Sequence, residues 1–247
     1  FNGKSGSFVF DLNGNIKFLN NEPYRIEFDH ILGNNTNQFK SFTITTEDGL
    51  VYTFGQAEQT RFNLQDGSSS YYTSSWYLTK IQNNAGDTIV SNYTVPADNY
   101  RFRKSSSEKL ILGNIDQLFA INDSWSSISS STDKVIYLNE IVFKQGRLVF
   151  TTSKRNDPYY VPNGMSPTLA VEKKLDLITL FDNNNSIIKK WQFGYTEDVG
   201  RLKLNTLSYL GQESSSVQVY RFEYDTTLLP LGSSNSNDPY ETNSVDN

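Results

Sequence analysis

The stretch FTITTEDGLVYTFG, residues 42–55, decides how the rest of the chain is read. It consists of two short arms rich in β-branched and aromatic residues, on either side of Glu47-Asp48-Gly49. A two-residue Asp-Gly turn would place Phe42 and Ile44 on one face and Tyr52 and Phe54 on the other. A three-residue Glu47-Asp48-Gly49 loop instead opposes Thr46 to Leu50, Ile44 to Tyr52 and Phe42 to Phe54. All the large apolar side chains then share a face. Such loops combine a type I turn with a left-handed residue, and glycine occupies that position without steric cost. The hydrophobic pattern therefore selects the bulged loop, because a one-residue slip would turn a whole arm over.

The same count applies to GSFVFDLNGNIKFL, residues 6–19. A Leu12-Asn13-Gly14 loop opposes Phe10 to Ile16 and Phe8 to Phe18. In SSWYLTKIQNNAGDTIVSNY, residues 74–93, a turn cluster is evident but the register is not fixed. Strand-like alternation recurs at 7–10, 16–19, 24–28, 42–45, 50–54, 76–81, 88–93, 135–143, 147–151, 175–181, 187–195, 202–210 and 217–224. Short turn clusters between them predict consecutive antiparallel pairing. The fold class expected is all-β: an antiparallel meander of hairpins forming a large twisted or strip-like sheet, with little or no helix. The one helical hint is Ile115, Leu118 and Phe119. Residues 1–231 read as a single module with a possible sub-boundary at 123–133, and 232–247 as a polar tail or linker. DSWSSISSSTD, residues 123–133, reads as a serine-rich loop or disordered stretch.

Composition narrows the function classes. A chain of 247 residues can bury roughly 70–75% of its unfolded surface, and 16 Phe, 15 Tyr and 3 Trp supply bulk for a core. Trp76 and Trp191 sit in strand-like runs and are expected there. The net charge of −5 argues against a polyanion-binding surface. With no cysteine, disulfide scaffolds, thiolate zinc sites and cysteine nucleophiles are excluded. No apolar run approaches the ~18 residues of a membrane span. The start at Phe1 reads as an excised or mature fragment.

Few residues offer chemistry. His30, the only histidine, follows Asp29 directly, and adjacent strand residues face opposite ways, so a catalytic dyad is not expected. Asp11 to Asn15 superficially resembles a calcium loop but lacks its later glycine and terminal glutamate, and the register already explains it as a turn. Glu22, Glu27, Glu140 and Glu172 could serve glycoside hydrolysis, yet nothing selects a pair among 27 acidic residues. In NYRFRK, residues 99–104, Arg101 and Arg103 share one face and Tyr100 and Phe102 the other, which suits a solvated side over a packed one. Trp125 lies in the serine-rich stretch, where it either stacks on a ligand or folds back onto its own domain. Tyr159 and Tyr160, in NDPYYVPNG, either line a groove or pin a loop. The expectation is a non-enzyme with no catalytic residue, metal or cofactor, and Trp125, Tyr159 and Tyr160 as ligand-binding candidates.

Several motifs resemble the hairpin-repeat proteins of the Rhs/YD-repeat group, particularly bacterial cell-surface or secreted ones. SGSFVFDLNGNIKF, FTITTEDGLVYTFG and SSWYLTKIQNNAGDTIVSNY resemble, in that order, the segments preceding the repeats. KKWQFGYTEDVGRLKLNTL and VYRFEYD resemble degenerate repeat units. No regular period persists. The resemblance implies a structural or interaction module of a larger extracytoplasmic protein, in which β-strips enclose a toxin or other cargo. Its partners would be the remainder of its own polypeptide, or a surface protein or glycan, without nucleic acid or membrane insertion. The alternatives are a carbohydrate- or protein-ligand-binding β module and, more remotely, a glycoside hydrolase.

Overall fold

The computed structural model describes residues 6–19, 23–30, 39–63, 69–95, 100–111, 123–155, 172–198, 201–212 and 216–224. They form fifteen strands: β1 Phe8–Phe10, β2 Ile16–Phe18, β3 Arg25–His30, β4 Phe39–Thr45, β5 Val51–Asn63, β6 Ser69–Gln82, β7 Thr88–Thr94, β8 Tyr100–Ile111, β9 Asp123–Lys134, β10 Tyr137–Phe143, β11 Gly146–Lys154, β12 Lys173–Asp182, β13 Ile187–Asp198, β14 Arg201–Leu210 and β15 Ser216–Arg221. Among the described residues there is no helix. Eleven strands follow one another across the sheet in the order β15-β14-β13-β12-β11-β10-β7-β6-β5-β4-β3. Every pairing is antiparallel, the meander that the turn spacing predicts. The helical hint at Ile115, Leu118 and Phe119, and the tail 232–247, lie outside the described residues.

Both registers derived from the sequence are present. Phe42 opposes Phe54 and Ile44 opposes Tyr52, while Phe8 opposes Phe18 and Phe10 opposes Ile16. The loop that sets them recurs at four hairpins. Gly14, Gly49 and Gly86 donate backbone N–H to the carbonyls of Asp11, Thr46 and Asn83 at 2.9–3.0 Å, and Asn185 donates to Asp182 at 3.2 Å. One residue further on, Asn15, Leu50, Asp87 and Ser186 accept from the N–H of the first residue at 2.9–3.1 Å. Gly14, Gly49, Gly86 and Asn185 all take positive φ, between 63° and 85°. At three of the four the first residue locks the frame with its side chain. Asp11 Oδ1 accepts from the N–H of Asn13 and Asn15, Asp182 Oδ1 from Asn184 and Ser186, and Asn83 Oδ1 from Asp87, all at 2.8–2.9 Å. Polar residues at this position thus satisfy turn donors that no strand can reach.

Two expectations are corrected. Residues 123–133 are strand β9, not a loop: β9 pairs with β8 from Tyr100↔Lys134 to Ile111↔Asp123 and with β5 at Thr60↔Asp133, Arg61↔Thr132 and Phe62↔Ser131. Serine has little intrinsic strand preference, but a backbone ladder over twelve residues does not require apolar alternation. The second correction concerns the core. Among the described residues only Tyr52 and Val135 are buried hydrophobics, at 4% and 3% exposure. Trp76 and Trp191 lie in β6 and β13 but are half-buried. Among the described residues the sheet is therefore a single layer over most of its width, covered locally where the β1–β2 hairpin packs on it.

Candidate interaction surface

Directly opposed residues share a face, so the registers trace one side of the sheet from strand to strand. Ile26, Ile44, Tyr52, Ile81 and Ile89 are successive partners from β3 to β7. Two residues beyond Ile89, Ser91 opposes Ile141, which leads through Leu148 and Leu180 to Lys189. The next row on this side is Phe150, Ile178, Trp191 and Tyr209, followed by Phe193, Leu207 and Tyr220. On the reverse side the corresponding rows include Glu27, Thr43, Thr53, Lys80, Val90, Val142 and Arg147. Among the described residues one face is thus predominantly apolar from β3 to β15, broken by Ser91 and Lys189, and the other is mixed.

At one end the apolar face is covered. Phe10 of β1 stacks on Phe39 at 4.8 Å with 9° between the rings, and meets Phe28 edge-on at 5.2 Å. Phe8 lies 6.0 Å from Phe42, and Phe42 meets Trp76 edge-on at 4.8 Å. Trp76 Nε1 donates to the carbonyl of Phe39 at 3.2 Å. Toward the other end, Trp191 and Tyr209 lie 6.5 Å apart with Lys189 Nζ over both rings, at 5.5 and 4.8 Å. β15 and the residues just after it expose Val219, Tyr220, Phe222 and Tyr224 at 41–51%.

Among the described residues the two most enclosed polar side chains, Thr60 and Glu58, lie where the sheet branches. β5 pairs β6 along its length, but its other edge is shared, with β4 at Val51–Phe54 and β9 at Thr60–Phe62. Near the branch Glu58 is 5% exposed. Tyr77 donates its hydroxyl to Glu58 Oε2 at 2.8 Å and Ser74 to Oε1 at 3.3 Å. Thr60, 3% exposed, donates to Ser74 Oγ at 3.0 Å. Hydroxyl donors satisfy the carboxylate, so the cluster pins two long strands together.

The residues proposed from sequence are dispersed. Trp125 is in β9 opposite Lys109, and Tyr159, Tyr160 and Glu22 lie outside the described residues. His30 ends β3 opposite Phe39, while Asp29 accepts a hydrogen bond from Ser41 Oγ at 3.1 Å. Asp11 is committed to its turn: hydrogen bonds from Asn15 and Asn13 and the nearby Lys17 hold its carboxyl below the usual range. The remaining carboxylates sit in separate ion pairs, Glu27 with Arg25 at 2.5 Å, Glu140 with Arg147 at 3.2 Å and Glu172 with Arg155 at 2.7 Å. Among the described residues no group of three or more His, Asp or Glu side chains gathers where it could hold a metal. No helix there is long and apolar enough to cross a membrane. The residues that sequence reasoning missed are those of the β15 edge, whose alternating Tyr220-Arg221-Phe222-Glu223-Tyr224 was the available signal.

No family model matches the sequence, and no curated protein matches it. Among solved structures the chain is similar to the N-terminal domain of effector protein SpvB from Salmonella typhimurium strain LT2, at 12% identity and a TM-score of 0.44, covering 79% of this chain and 68% of that one. It is also similar to a chain of TcdB2-TccC3, at 13% identity and a TM-score of 0.46, covering 87% of this chain but only 12% of the other. A TcdB2-TccC3-Cdc42 structure gives 12% identity, the same coverage and a TM-score of 0.46. The chain thus spans a small part of the TcdB2-TccC3 chain that it matches.

Proposed function

We propose that this chain is a non-catalytic structural module, a wall segment of a larger Rhs/YD-repeat-like secreted or cell-surface protein. The observation that carries this reading is the mismatch between face and cover. Apolar rows recur on one face from β3 to β15, broken at Ser91 and Lys189, yet among the described residues only Tyr52 and Val135 are buried hydrophobics. A sheet face of that size is normally packed against a second layer. The remainder of the parent polypeptide, or what it encloses, supplies that layer. Hydroxyl-radical footprinting tests this directly. Trp191, Tyr209 and Phe150 should label strongly in the 247-residue chain and be protected in the intact parent protein. Equal labelling in both would overturn the wall-segment reading.

A second reading, a β module that binds a protein or glycan ligand, is favoured by Tyr220, Phe222 and Tyr224, at alternate positions and 41–51% exposed. It requires a glycan or protein array on which the chain binds and Phe222→Ala does not. Unchanged binding by that variant would remove the site.

A further inference from the structure

The edge that ends the described sheet has a sequence that complements itself. Phe222 donates its backbone N–H to the carbonyl of Asn205 at 2.9 Å, so the backbone groups of Phe222 point toward β14. Those of its neighbours Arg221 and Glu223 consequently point to the other side, at the outer edge. Among the described residues β15 pairs only with β14. Along Tyr220-Arg221-Phe222-Glu223-Tyr224 the residue types are symmetric about Phe222, except that the charges are opposite. All five side chains are exposed.

We propose that this edge is a self-association surface, on which residues 220–224, the end of β15 and the three residues that continue past it, pair antiparallel with the same segment of a second copy about a two-fold axis at Phe222. In that register Phe222 meets Phe222, Tyr220 meets Tyr224, and each Arg221 faces the Glu223 of its mate. The hydrogen-bonding parity agrees. Arg221 and Glu223 both present outward backbone groups, so each Arg221–Glu223 couple is a pair exchanging two backbone bonds, and Phe222–Phe222 is the close, non-hydrogen-bonded pair between them. A shift by one residue would bring inward-facing groups opposite outward-facing ones. A shift by two would replace the Arg–Glu couples with Arg opposite Arg or Glu opposite Glu. Charge and backbone geometry thus select the same register, and aromatic cross-strand pairs favour it. Closure by a two-fold leaves no further edge at this end, so the assembly stops at a dimer. An edge pairing buries less than the ~1,200 Å² of a standard interface, so the dimer is weak and concentration-dependent.

Sedimentation of the 247-residue chain over a concentration series tests the association. A shift from 28.1 kDa toward twice that mass is expected as concentration rises, and a monomer still present alone at about 1 mM would overturn the proposal. Glu223→Arg and Arg221→Glu should each weaken the dimer at least about tenfold, because both place like charges opposite one another. Mixing the two variants should restore it, since every couple is again of opposite sign. Failure of the mixture to associate, or undiminished dimer in either single variant, would refute the register. The cysteine-free chain gives an independent readout that needs no change of charge. Oxidised with diamide, which takes up the two electrons and two protons, Phe222→Cys should form an intermolecular disulfide. Tyr220→Cys alone should not, because it faces Tyr224 of the mate. Equal cross-linking of the two variants would overturn the two-fold at Phe222.

Discussion

Asn84 holds down the turn at Gly49: its Nδ2 donates to the carbonyl of Asp48 at 3.3 Å, and a Cβ on Gly49 would lie 2.3 Å from that nitrogen. Two hairpin loops, β4–β5 and β6–β7, are thereby interlocked side by side. Gly49 combines φ +80° with this contact, whereas Gly86 combines φ +85° with open space. Gly86→Ala should therefore cost about 1–2 kcal/mol, the left-handed penalty alone. Gly49→Ala should cost more, and the excess should shrink when Asn84→Ala is added. Urea denaturation of the four variants measures this; equal costs for the two glycines would show that Asn84 yields freely.

Removing Phe39 should release the β1–β2 hairpin. Its ring stacks on Phe10 and packs against Phe28 and Phe42 at 5.2 and 5.3 Å, contacts that hold an apolar hairpin only three residues per strand long. Phe39→Ala should destabilise by roughly 2–3 kcal/mol, below the fully buried range because the site is half-exposed. Hydrogen exchange should locate the loss: the amides of Asp11 and Leu19, bonded within the hairpin, should exchange faster while those of β12 and β13 do not. Unchanged protection of Asp11 and Leu19 would rule out this attachment.

Acid should loosen the Asp87–Lys144 link between the β6–β7 and β10–β11 loops. Lys144 donates to Asp87 Oδ1 at 2.8 Å, and together with Asn83 it holds the Asp87 carboxyl below 3.8. A depressed folded-state value contributes stability that is present above the unfolded value and lost as pH falls through the folded one. The loss therefore belongs below about pH 4. A carboxyl-detected titration should show the Asp87 midpoint rising toward 3.8 in Lys144→Met, short of full recovery because the Asn83 bond remains. An unmoved midpoint would mean that the lysine is not in place in solution.

Small-angle scattering separates a single-layer strip from a packed globule. A compact chain of this length has a radius of gyration near ~18 Å. The isolated chain should exceed that clearly, and a value at the compact limit would mean that the apolar face folds onto itself.

The sequence was most informative where a side chain's position depends on period two. Phe42, Ile44, Tyr52 and Phe54 can share a face in one register only, and Gly49 identifies the loop that permits it. NNAGD left its register open when read alone, yet Asn83 and Gly86 stand as Asp11 and Gly14 do in DLNGN, and the common frame was the missing clue. β9 was illegible for a different reason. Serines alternate with serines in Asp123–Lys134, so no pattern marks a strand whose pairing is specified by its backbone and by β5 and β8. The burial of Glu58 was equally hidden, because it depends on Ser74 and Tyr77 arriving from the neighbouring strand. The apolar bulk pointed to a core, whereas the fold spreads it over one face, which composition cannot distinguish.

Because β5 shares one edge between β4 and β9, the chain must assemble it in stages. β4 lies just ahead of β5 in sequence and joins it through a loop of a few residues. β9 reaches Thr60 with Asp133, some seventy residues later, and closure of so long a loop is the entropically slower event. The meander is thus a template that exists first, and the β8–β9 ribbon is a late arrival on a half-vacant edge. During synthesis Thr60 to Phe62 must wait, unpaired on that side, until Lys134 has emerged.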